Sequence, residues 1–300
     1  RLQQVKGMIG KPQAMSLTKS QSLDPGEGGM RRIVVDIAEA ILSQSILMSI
    51  RVRRGLRGGR DPELKILPVL ARSGAFVDVG ANIGTWTGPA ARSFRQVHAF
   101  EPDALIATTL QKAVPANVTV HSIALSDHKG VGTFRVPIYR GRAVRTRSSL
   151  EADVNPGCDE IISEVRLSPL DELDLRGIDV LKIDVEGHEA GVLRGSVKTL
   201  ARERPTLIVE IEDRHNAGKS ESIIQGLVEC GYSCYYIYRD RLIEFQAGSI
   251  PELQAKESVP VSGATEKSAA YINNFIFIPL ERGNERDLID QTLAQTVKGN

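Results

Sequence analysis

The sequence predicts an α/β protein whose central sheet is mostly parallel. Short apolar runs typical of buried parallel strands recur along the chain, and helical patterns separate most of them. The first of these runs leads directly into a glycine-rich turn, as strands do where an α/β sheet binds a ligand. With 300 residues, of which 41% are hydrophobic and 25% charged, the chain can form one large globular domain.

Composition divides the chain into three parts. Residues 1–60 are an N-terminal extension that is partly disordered and contains an amphipathic helix from Ile33 to Ile50, which is too polar to span a bilayer. Residues 61–280 form the main domain, and residues 281–300 form a polar C-terminal tail with a terminal helix. A basic run closes the extension, and its side chains either face solvent or contact an anionic acceptor, a membrane surface or a partner: Arg51, Arg53, Arg54, Arg57 and Arg60.

The main domain begins with a helix start at Asp61 and Pro62, with Asp61 as the cap and proline in the first turn. Seven main strands follow, at about residues 75–79, 96–101, 118–123, 179–184, 206–211, 233–238 and 272–278. Strands that alternate with helices form a parallel sheet. No strong helical pattern joins the last two strands, so we expect a β-type return between them.

An insertion at about residues 131–167 interrupts the alternation between the third and fourth strands. Residues 131–136 and 162–167 are expected to pair as two extra strands. Ligands of open α/β sheets bind beyond the carboxyl ends of the strands, so the loop between the extra strands is placed to cover an acceptor. Its polar side chains either hold an anionic group or remain solvated: Arg140, Arg142, Arg145, Arg147, Ser148 and Ser149.

The segment from Phe76 to Thr85 gives the strongest functional signal. Gly80 permits a tight turn beside a ligand, and Gly84 lets the following helix pack closely on the strand. The spacing Gly80-x-Asn82-x-Gly84 differs from the G-x-G-x-x-G of dinucleotide sites, and Asp78 would repel a pyrophosphate. These features disfavour a nicotinamide oxidoreductase and favour a cofactor with an amine or a cationic head.

The second strand ends in Glu101, 17 positions after Gly84. An acid at this point can accept hydrogen bonds from both hydroxyls of a ribose. Taken singly, Asp78 could be a helix cap and Glu101 a solvated charge. Taken together with Gly80 and Gly84, they describe S-adenosylmethionine held by its methionine amine and its ribose.

Three further segments resemble the FkbM family of S-adenosylmethionine-dependent methyltransferases: Leu181–Glu189 followed by Val192–Gly195, Tyr271–Pro279, and Ala124–Asp127 with Gly130. Together with the glycine-rich turn they stand in the family's order over about residues 62–280. The resemblance implies a class I methyltransferase fold with a Rossmann-like sheet of seven strands in the order 3-2-1-4-5-7-6, the seventh antiparallel, and helices on both faces. It also implies transfer of a methyl group to a hydroxyl of a sugar or natural product.

The resemblance adds residues to the cofactor site. Ser126 and Asp127 match the position at the edge of the adenine, Asn82 and Thr85 lie near the methionyl part, and Asp184 is a strand-end acid beside the expected methyl group. The complete expected cofactor site is Asp78, Gly80, Asn82, Gly84, Thr85, Glu101, Ser126, Asp127 and Asp184.

Methyl transfer to a hydroxyl needs alignment of the oxygen with the S–CH3 bond and a group that takes the proton. The fourth and fifth strand ends carry the catalytic candidates Asp184, His188 and Glu210, although His188 also fits a simple contact at a helix start. Clustered carboxylates repel one another unless a proton or a cation lies between them. Related sugar O-methyltransferases of this fold can hold Mg2+ with acids at these two strand ends, so the resemblance implies Asp184, Glu210 and Glu212 as a conditional ligand set for Mg2+. The alternative is that the two glutamates bind the acceptor or cap loops.

Charge and cysteine content bear on the class of acceptor and on the cellular compartment. Lys and Arg number 38 against 37 Asp and Glu, so no overall field favours nucleic acid or an anionic membrane. The chain lacks the motifs of amino-group and cytosine methylation, which disfavours nucleic-acid and protein acceptors. Three cysteines do not form a disulfide framework and indicate the cytoplasm. We therefore expect a small-molecule or glycan acceptor and no transmembrane segment.

A second hypothesis, from a different class of function, is a non-catalytic cofactor- or partner-binding module on the same fold. The identity of the acceptor and the oligomeric state do not follow from the fold.

Overall fold

The computed structural model describes residues 44–59, 61–152, 154–216, 218–255 and 271–298. The predictions for the extension up to Ser43 and for Arg60 lie outside these ranges, as do residues 256–270 of the return expected between the last two strands. Only the last residues of the amphipathic helix predicted at Ile33–Ile50 fall within them.

Ten α-helices lie within the described residues: α1 (Gln44–Gly55), α2 (Leu67–Leu70), α3 (Thr87–Ser93), α4 (Ala104–Gln111), α5 (Glu189–Arg194), α6 (Val197–Glu203), α7 (Asp213–Asn216), α8 (Ser220–Glu229), α9 (Ile250–Leu253) and α10 (Gly283–Lys298). Short 3-10 turns precede α2 and α10. Asp61 stands before the first of these turns as predicted, but its side chain makes no capping hydrogen bond. None of the described helices is both long and apolar enough to cross a bilayer.

Twelve strands lie within the same ranges: β1 (Ala75–Val79), β2 (Gln96–Phe100), β3 (Val118–His121), β4 (Ala124–Leu125), β5 (Gly130–Tyr139), β6 (Arg142–Ala143), β7 (Asp159–Ser168), β8 (Ile178–Ile183), β9 (Thr206–Glu210), β10 (Tyr232–Tyr238), β11 (Arg241–Glu244) and β12 (Asn274–Pro279). They form two sheets. The larger has the order β11-β10-β12-β9-β8-β1-β2-β3, and the smaller has the order β4-β7-β5-β6.

The larger sheet is parallel from β9 to β3, and β12 runs antiparallel to both of its neighbours. The prediction of a mostly parallel α/β sheet is therefore confirmed. The predicted number of seven strands is wrong, because β11 adds an eighth at the edge. Arg239 and Asp240 have φ of +50° and +55°, which turns the chain back in a tight hairpin of β10 with β11.

The smaller sheet is the insertion. β5 and β7 pair antiparallel from Gly130 opposite Leu167 to Ile138 opposite Asp159. This ribbon extends beyond the predicted strands at 131–136 and 162–167. Its inner face packs Phe134, Val136 and Val165 into a small apolar cluster.

Helices cover both faces of the larger sheet. On one face Phe76, Val180 and Ile208 pack against helices α1, α3 and α10. On the other face Val77, Leu181 and Leu207 pack against α5 and α8. Successive strand residues point to opposite faces, so the buried apolar runs serve two layers at once. The terminal helix α10 buries Ile289 and Leu293 in the first layer, so the predicted polar tail contributes to the core.

Candidate active site

A cavity opens at the carboxyl ends of β1, β2 and β8, where the main sheet meets the insertion. Its empty volume is about 610 Å³, including space open to solvent. The main sheet contributes the turn after β1, the end of β2 and the loop after β8. The insertion contributes Phe134 and part of the segment from Arg145 to Leu150.

The turn after β1 brings the backbone close to the end of β8. Gly80 has φ of +82°, and a Cβ placed on it would lie 1.8 Å from the backbone oxygen of Asp184. The backbone N–H groups of Gly80 and Ala81 both donate to the oxygen of Phe100, at 3.0 Å each. Only glycine fits both this conformation and this approach. Gly84 instead faces the side chains of Leu56 and Leu110, so it serves helix packing and does not line the cavity.

Glu101 is a buried carboxyl at the cavity wall. Its two oxygens accept hydrogen bonds from the backbone N–H groups of Asn82, at 2.8 Å, and Asp103, at 2.7 Å. Burial raises the pKa of Glu101 to about 8, although the two hydrogen bonds act in the opposite direction. Asn82, which has φ of +46°, also lines the cavity, and its buried Oδ1 accepts no hydrogen bond from any residue the structure describes.

Asp78 lies beneath the cavity and does not line it. Its Oδ2 accepts a hydrogen bond of 2.6 Å from the hydroxyl of Thr87. Burial raises the pKa of Asp78, and the charge of Lys182 opposes that shift. The predicted contact between Asp78 and a cofactor amine stays a prediction, and Oδ1 of Asp78 is buried without a hydrogen-bond partner among the described residues.

Asp184 lines the cavity and is held from below by Lys182. The ammonium of Lys182 donates to Asp184 Oδ2 at 2.7 Å. Burial acts to lower the pKa of Lys182, but attraction to Asp184, Asp78 and Glu210 outweighs it, so the pKa is raised. The pair thus presents a partly exposed carboxylate to the cavity on a buried, charged support.

Three further residues of the predicted cofactor site do not line the cavity: Thr85, Ser126 and Asp127. Ser126 is fully buried, and its hydroxyl lies 3.0 Å from Nε2 of His188. The carboxylate of Asp127 is bound by His128 and Arg194, whose hydrogen bonds lower its pKa to about 2. The predicted contact of Asp127 with an adenine stays a prediction.

The structure does not support the predicted Mg2+ ligands Asp184, Glu210 and Glu212. The described residues contain no group of three or more His, Cys, Asp or Glu side chains placed to hold an ion. Asn273 binds both Glu210 and Glu212, and Glu212 also accepts hydrogen bonds from Arg214 and from Tyr271. Burial acts to raise the pKa of Glu212, but these partners, Arg214 above all, lower it to about 2. Glu210 and Glu212 are thus bound by protein groups in this structure.

His188 lines the cavity with both of its ring nitrogens engaged. Nδ1 is 2.7 Å from Oε1 of Glu151, on the insertion, and Nε2 is 3.0 Å from Oγ of Ser126. The bond to His188 lowers the pKa of Glu151. His188 therefore connects the insertion to the main sheet through both ring nitrogens.

Glu186 is the residue that the sequence analysis left out of the site. It lines the cavity and has φ of +51°, a conformation that residues other than glycine seldom adopt. Its Oε2 lies 3.0 Å from Nδ1 of His215, in α7. Burial raises the pKa of Glu186, and the neighbouring Asp184 adds to this, while His215 opposes it. The acid was visible in the sequence, but its partner stands 29 positions later and gives no local signal.

Polar contacts hold the insertion segment, residues 145–151, beside the cavity. Arg145 pairs with Asp103 at the end of β2, and the hydroxyl of Ser149 donates to the backbone oxygen of Glu186 at 2.6 Å. With the bond between Glu151 and His188, these contacts join the segment to both strand ends that flank the cavity. The segment therefore forms part of the cavity wall, and its predicted role as a cover for an acceptor stays a prediction.

A mostly parallel sheet with a glycine turn and strand-end acids around one cavity defines an α/β protein that binds a ligand at the carboxyl ends of its strands. The chain belongs to the methyltransferase FkbM domain family, whose model matches residues 78–234, so the predicted family is confirmed.

Two solved structures are similar to parts of the chain. The methyltransferase FkbM of Methylobacillus flagellatus KT is 20% identical over 55% of this chain and 40% of its own, with a TM-score of 0.39. The precorrin 8w decarboxylase of Methanobacterium thermoautotrophicum is 16% identical over 57% of this chain and 70% of its own, with a TM-score of 0.35. This chain thus spans less than half of the first protein. No curated protein matches the sequence.

Proposed function

We propose that this protein transfers a methyl group from S-adenosylmethionine to a hydroxyl group of a sugar, in a glycan or a natural product. The supporting observation is the cavity beside Gly80, where buried Glu101 and partly exposed Asp184 lie on opposite sides of a tight turn. In a chain of a methyltransferase family, this arrangement matches a nucleoside that carries an amine.

The residues at the cavity fit that cofactor. Glu101 has lone pairs left for ribose hydroxyls, Asp184 suits an ammonium group, and the buried Oδ1 of Asn82 is a further acceptor. Apolar side chains that can flank an adenine also line the cavity: Ile123, Leu125, Phe134 and Leu150. When bound, S-adenosylmethionine supplies a methyl group on a positively charged sulfur.

Glu186 is the residue best placed to take the proton of the acceptor hydroxyl. Glu186 lines the cavity and its carboxylate is oriented by His215, and its raised pKa brings its basicity closer to neutral pH. Among the predicted bases, Asp184 is held by Lys182, and His188 bridges Glu151 of the insertion and Ser126. Glu210 is bound to Asn273 and does not line the cavity. We assign Asp184 to binding of the amine and His188 to support of the insertion.

The charges around the cavity favour a neutral acceptor. Arg145, the cation of the insertion at the cavity, is paired with Asp103, whereas Asp184 and Glu186 present carboxylate groups. Carboxylates accept hydrogen bonds from hydroxyl groups and repel phosphate, sulfate and uronate. A neutral sugar fits this environment better than an anionic one.

Calorimetric titration of the full chain with S-adenosylmethionine, S-adenosylhomocysteine and NAD tests the cofactor. We expect saturable binding of the two sulfur compounds and none of NAD. Binding of NAD alone, or of none of the three, would contradict the proposal.

A screen of neutral glycans for methyl transfer then tests the base. Glu186→Gln should keep the affinity for S-adenosylhomocysteine and lose at least about 100-fold in turnover, as general-base variants do. Glu164→Gln, on the exposed side of the insertion, is the matched control and should be fully active. Full activity of Glu186→Gln would exclude Glu186 as the base.

A further inference from the structure

Helix α1 exposes two large apolar side chains. Ile46 is 49% exposed and Ile50 is 54% exposed, one helical turn apart. On the opposite face Met48 and Val52 are buried in the core, at 4% and 0%. The helix is therefore anchored through one face, while the other presents isoleucines to solvent, where a solvated helix would carry polar residues.

Arginines continue this exposed face. Arg53 and Arg54 stand seven and eight positions after Ile46, which places them on the same side of the helix, and Arg57 follows in the turn after Gly55. All three are exposed, and no acid within the described part of the chain pairs with them. The segment 44–57 contains four arginines and no acidic residue, although the whole chain carries a net charge of only +1.

The exposed face is held rigidly in place. A Cβ on Gly55 would lie 2.2 Å from the backbone oxygen of Ile83, so the end of α1 rests directly on the glycine-rich turn. Arg92 also donates to the backbone oxygens of Leu56 and Arg57, at 3.3 Å each. Across the groove between α1 and α4, exposed Lys112 adds a further positive charge beside Arg53.

We propose that this face docks on the surface of an anionic lipid membrane. The α1 docking face consists of Ile46, Ile50, Arg53, Arg54, Arg57 and Lys112. Helices that lie in a membrane interface combine basic residues, which attract acidic headgroups, with large apolar residues, which enter the acyl boundary. Nucleic acid would satisfy the arginines but leave both isoleucines in water, so the lipid surface is the better match. This docking is independent of the methyl-transfer chemistry proposed above.

Cosedimentation of the full chain with vesicles tests the docking. We expect binding to phosphatidylcholine vesicles that contain about 30% phosphatidylserine, and much weaker binding to phosphatidylcholine alone. Raising NaCl from roughly 0.05 M to roughly 0.3 M should weaken the binding, because salt screens the arginines. Absence of binding to the acidic vesicles at low salt would overturn the proposal.

Two sets of variants distinguish vesicle binding through the α1 docking face from binding that depends only on the net charge of the chain. The combination Arg53→Gln, Arg54→Gln and Arg57→Gln should reduce partitioning on the order of 100-fold. The matched control, Arg140→Gln, Arg166→Gln and Lys198→Gln, removes the same charge from exposed positions on other elements and should bind as the wild type does. Equal loss in both sets would assign the binding to net charge and contradict a defined face.

Substitution of the two exposed isoleucines tests whether the face binds lipid or nucleic acid. Ile46→Ser with Ile50→Ser should lower vesicle binding about tenfold or more and keep the salt dependence. If this variant binds the vesicles with unchanged affinity and duplex DNA displaces it fully from them, the face binds nucleic acid. That outcome would contradict the membrane proposal. All the substituted side chains are exposed, so melting temperatures should stay near that of the wild type. The single variants Ile50→Ser and Arg54→Gln provide the same comparison should a combined variant unfold.

Discussion

Lys182 lies directly opposite Asp78 in the parallel pairing of β8 with β1, and its ammonium nitrogen is 2.7 Å from Oδ2 of Asp184. The side chain is only 1% exposed, and the ring of Trp86 lies over its nitrogen at 5.3 Å from the ring centroid. One buried cation therefore supports an acid beneath the cavity and an acid at its wall. A buried charge of this kind is tolerated because its partners are close and oriented.

Replacement of this cation should destabilise the fold strongly. Lys182→Met leaves the carboxyl of Asp78 buried without its counter-charge, and we expect a loss of about 3–5 kcal/mol in the free energy of unfolding. Unfolding by urea, followed by the fluorescence of Trp86, the one tryptophan of the chain, measures this loss. The double variant Asp78→Asn with Lys182→Met removes both charges and should recover much of the stability. Equal instability of the two variants would show that packing of the lysine stem, and not the charge pair, is responsible.

The sequence predicts the main sheet well because its strands are buried on both faces. Continuous apolar runs such as Ile178–Ile183 identify such strands directly. The edge strand β11 was missed because Arg241–Glu244 is short and mixed in polarity. Its turn, Arg239–Asp240, uses positive φ without a glycine or an asparagine to mark it.

The sequence predicts those residues of the cavity that directly follow a strand, because the end of the strand alone fixes their position. Gly80, Glu101 and Asp184 line the cavity for this reason. Asp127 does not line the cavity, and His128 and Arg194 bind its carboxylate. A residue pattern does not show which of several partners an acid chooses. The same limit hides the pairing of Glu186 with His215, since it depends on how two loops meet.

Glu101 should make the stability of the protein fall as pH rises from about 4.5 to about 8. Its pKa is raised from 4.5 to about 8 by burial, so between these values the folded chain binds more protons than the unfolded chain. The stabilisation is complete below the unfolded pKa and is lost as pH rises through about 8. Urea unfolding at about pH 6 and about pH 9 should therefore show a larger decrease for the wild type than for Glu101→Gln. Parallel pH profiles for the two proteins would mean that Glu101 is ionised throughout this range.

Gly80 should tolerate no side chain, and Gly141 provides the comparison. Both have positive φ, +82° and +74°, but nothing lies within 4 Å of a Cβ on Gly141, whereas a Cβ on Gly80 meets the backbone of Asp184. Gly141→Ala should cost about 1–2 kcal/mol for the left-handed conformation alone. Gly80→Ala should cost at least about 3 kcal/mol, because the backbone of β1 or β8 must move. Denaturant unfolding of both variants measures the difference, and equal losses would contradict the close approach.

His121 should make the fold sensitive to acid. Its pKa is lowered to about 4, first by burial and then by the neighbouring His98, whose Nδ1 lies 3.2 Å from Nε2 of His121. The unfolded chain takes up a proton near the ordinary value of 6.5, before the folded chain does, so stability falls as pH drops from about 6.5 toward about 4.

His121→Phe isolates this effect because a phenyl ring can keep the stacking on Phe100, whose ring centroid lies 4.5 Å away. We expect the variant to lose less stability than the wild type when urea unfolding is compared at about pH 7 and about pH 5. The sign of the difference is the test. A variant that is more acid-sensitive than the wild type would show that His121 gains a proton on folding, which its burial beside His98 opposes.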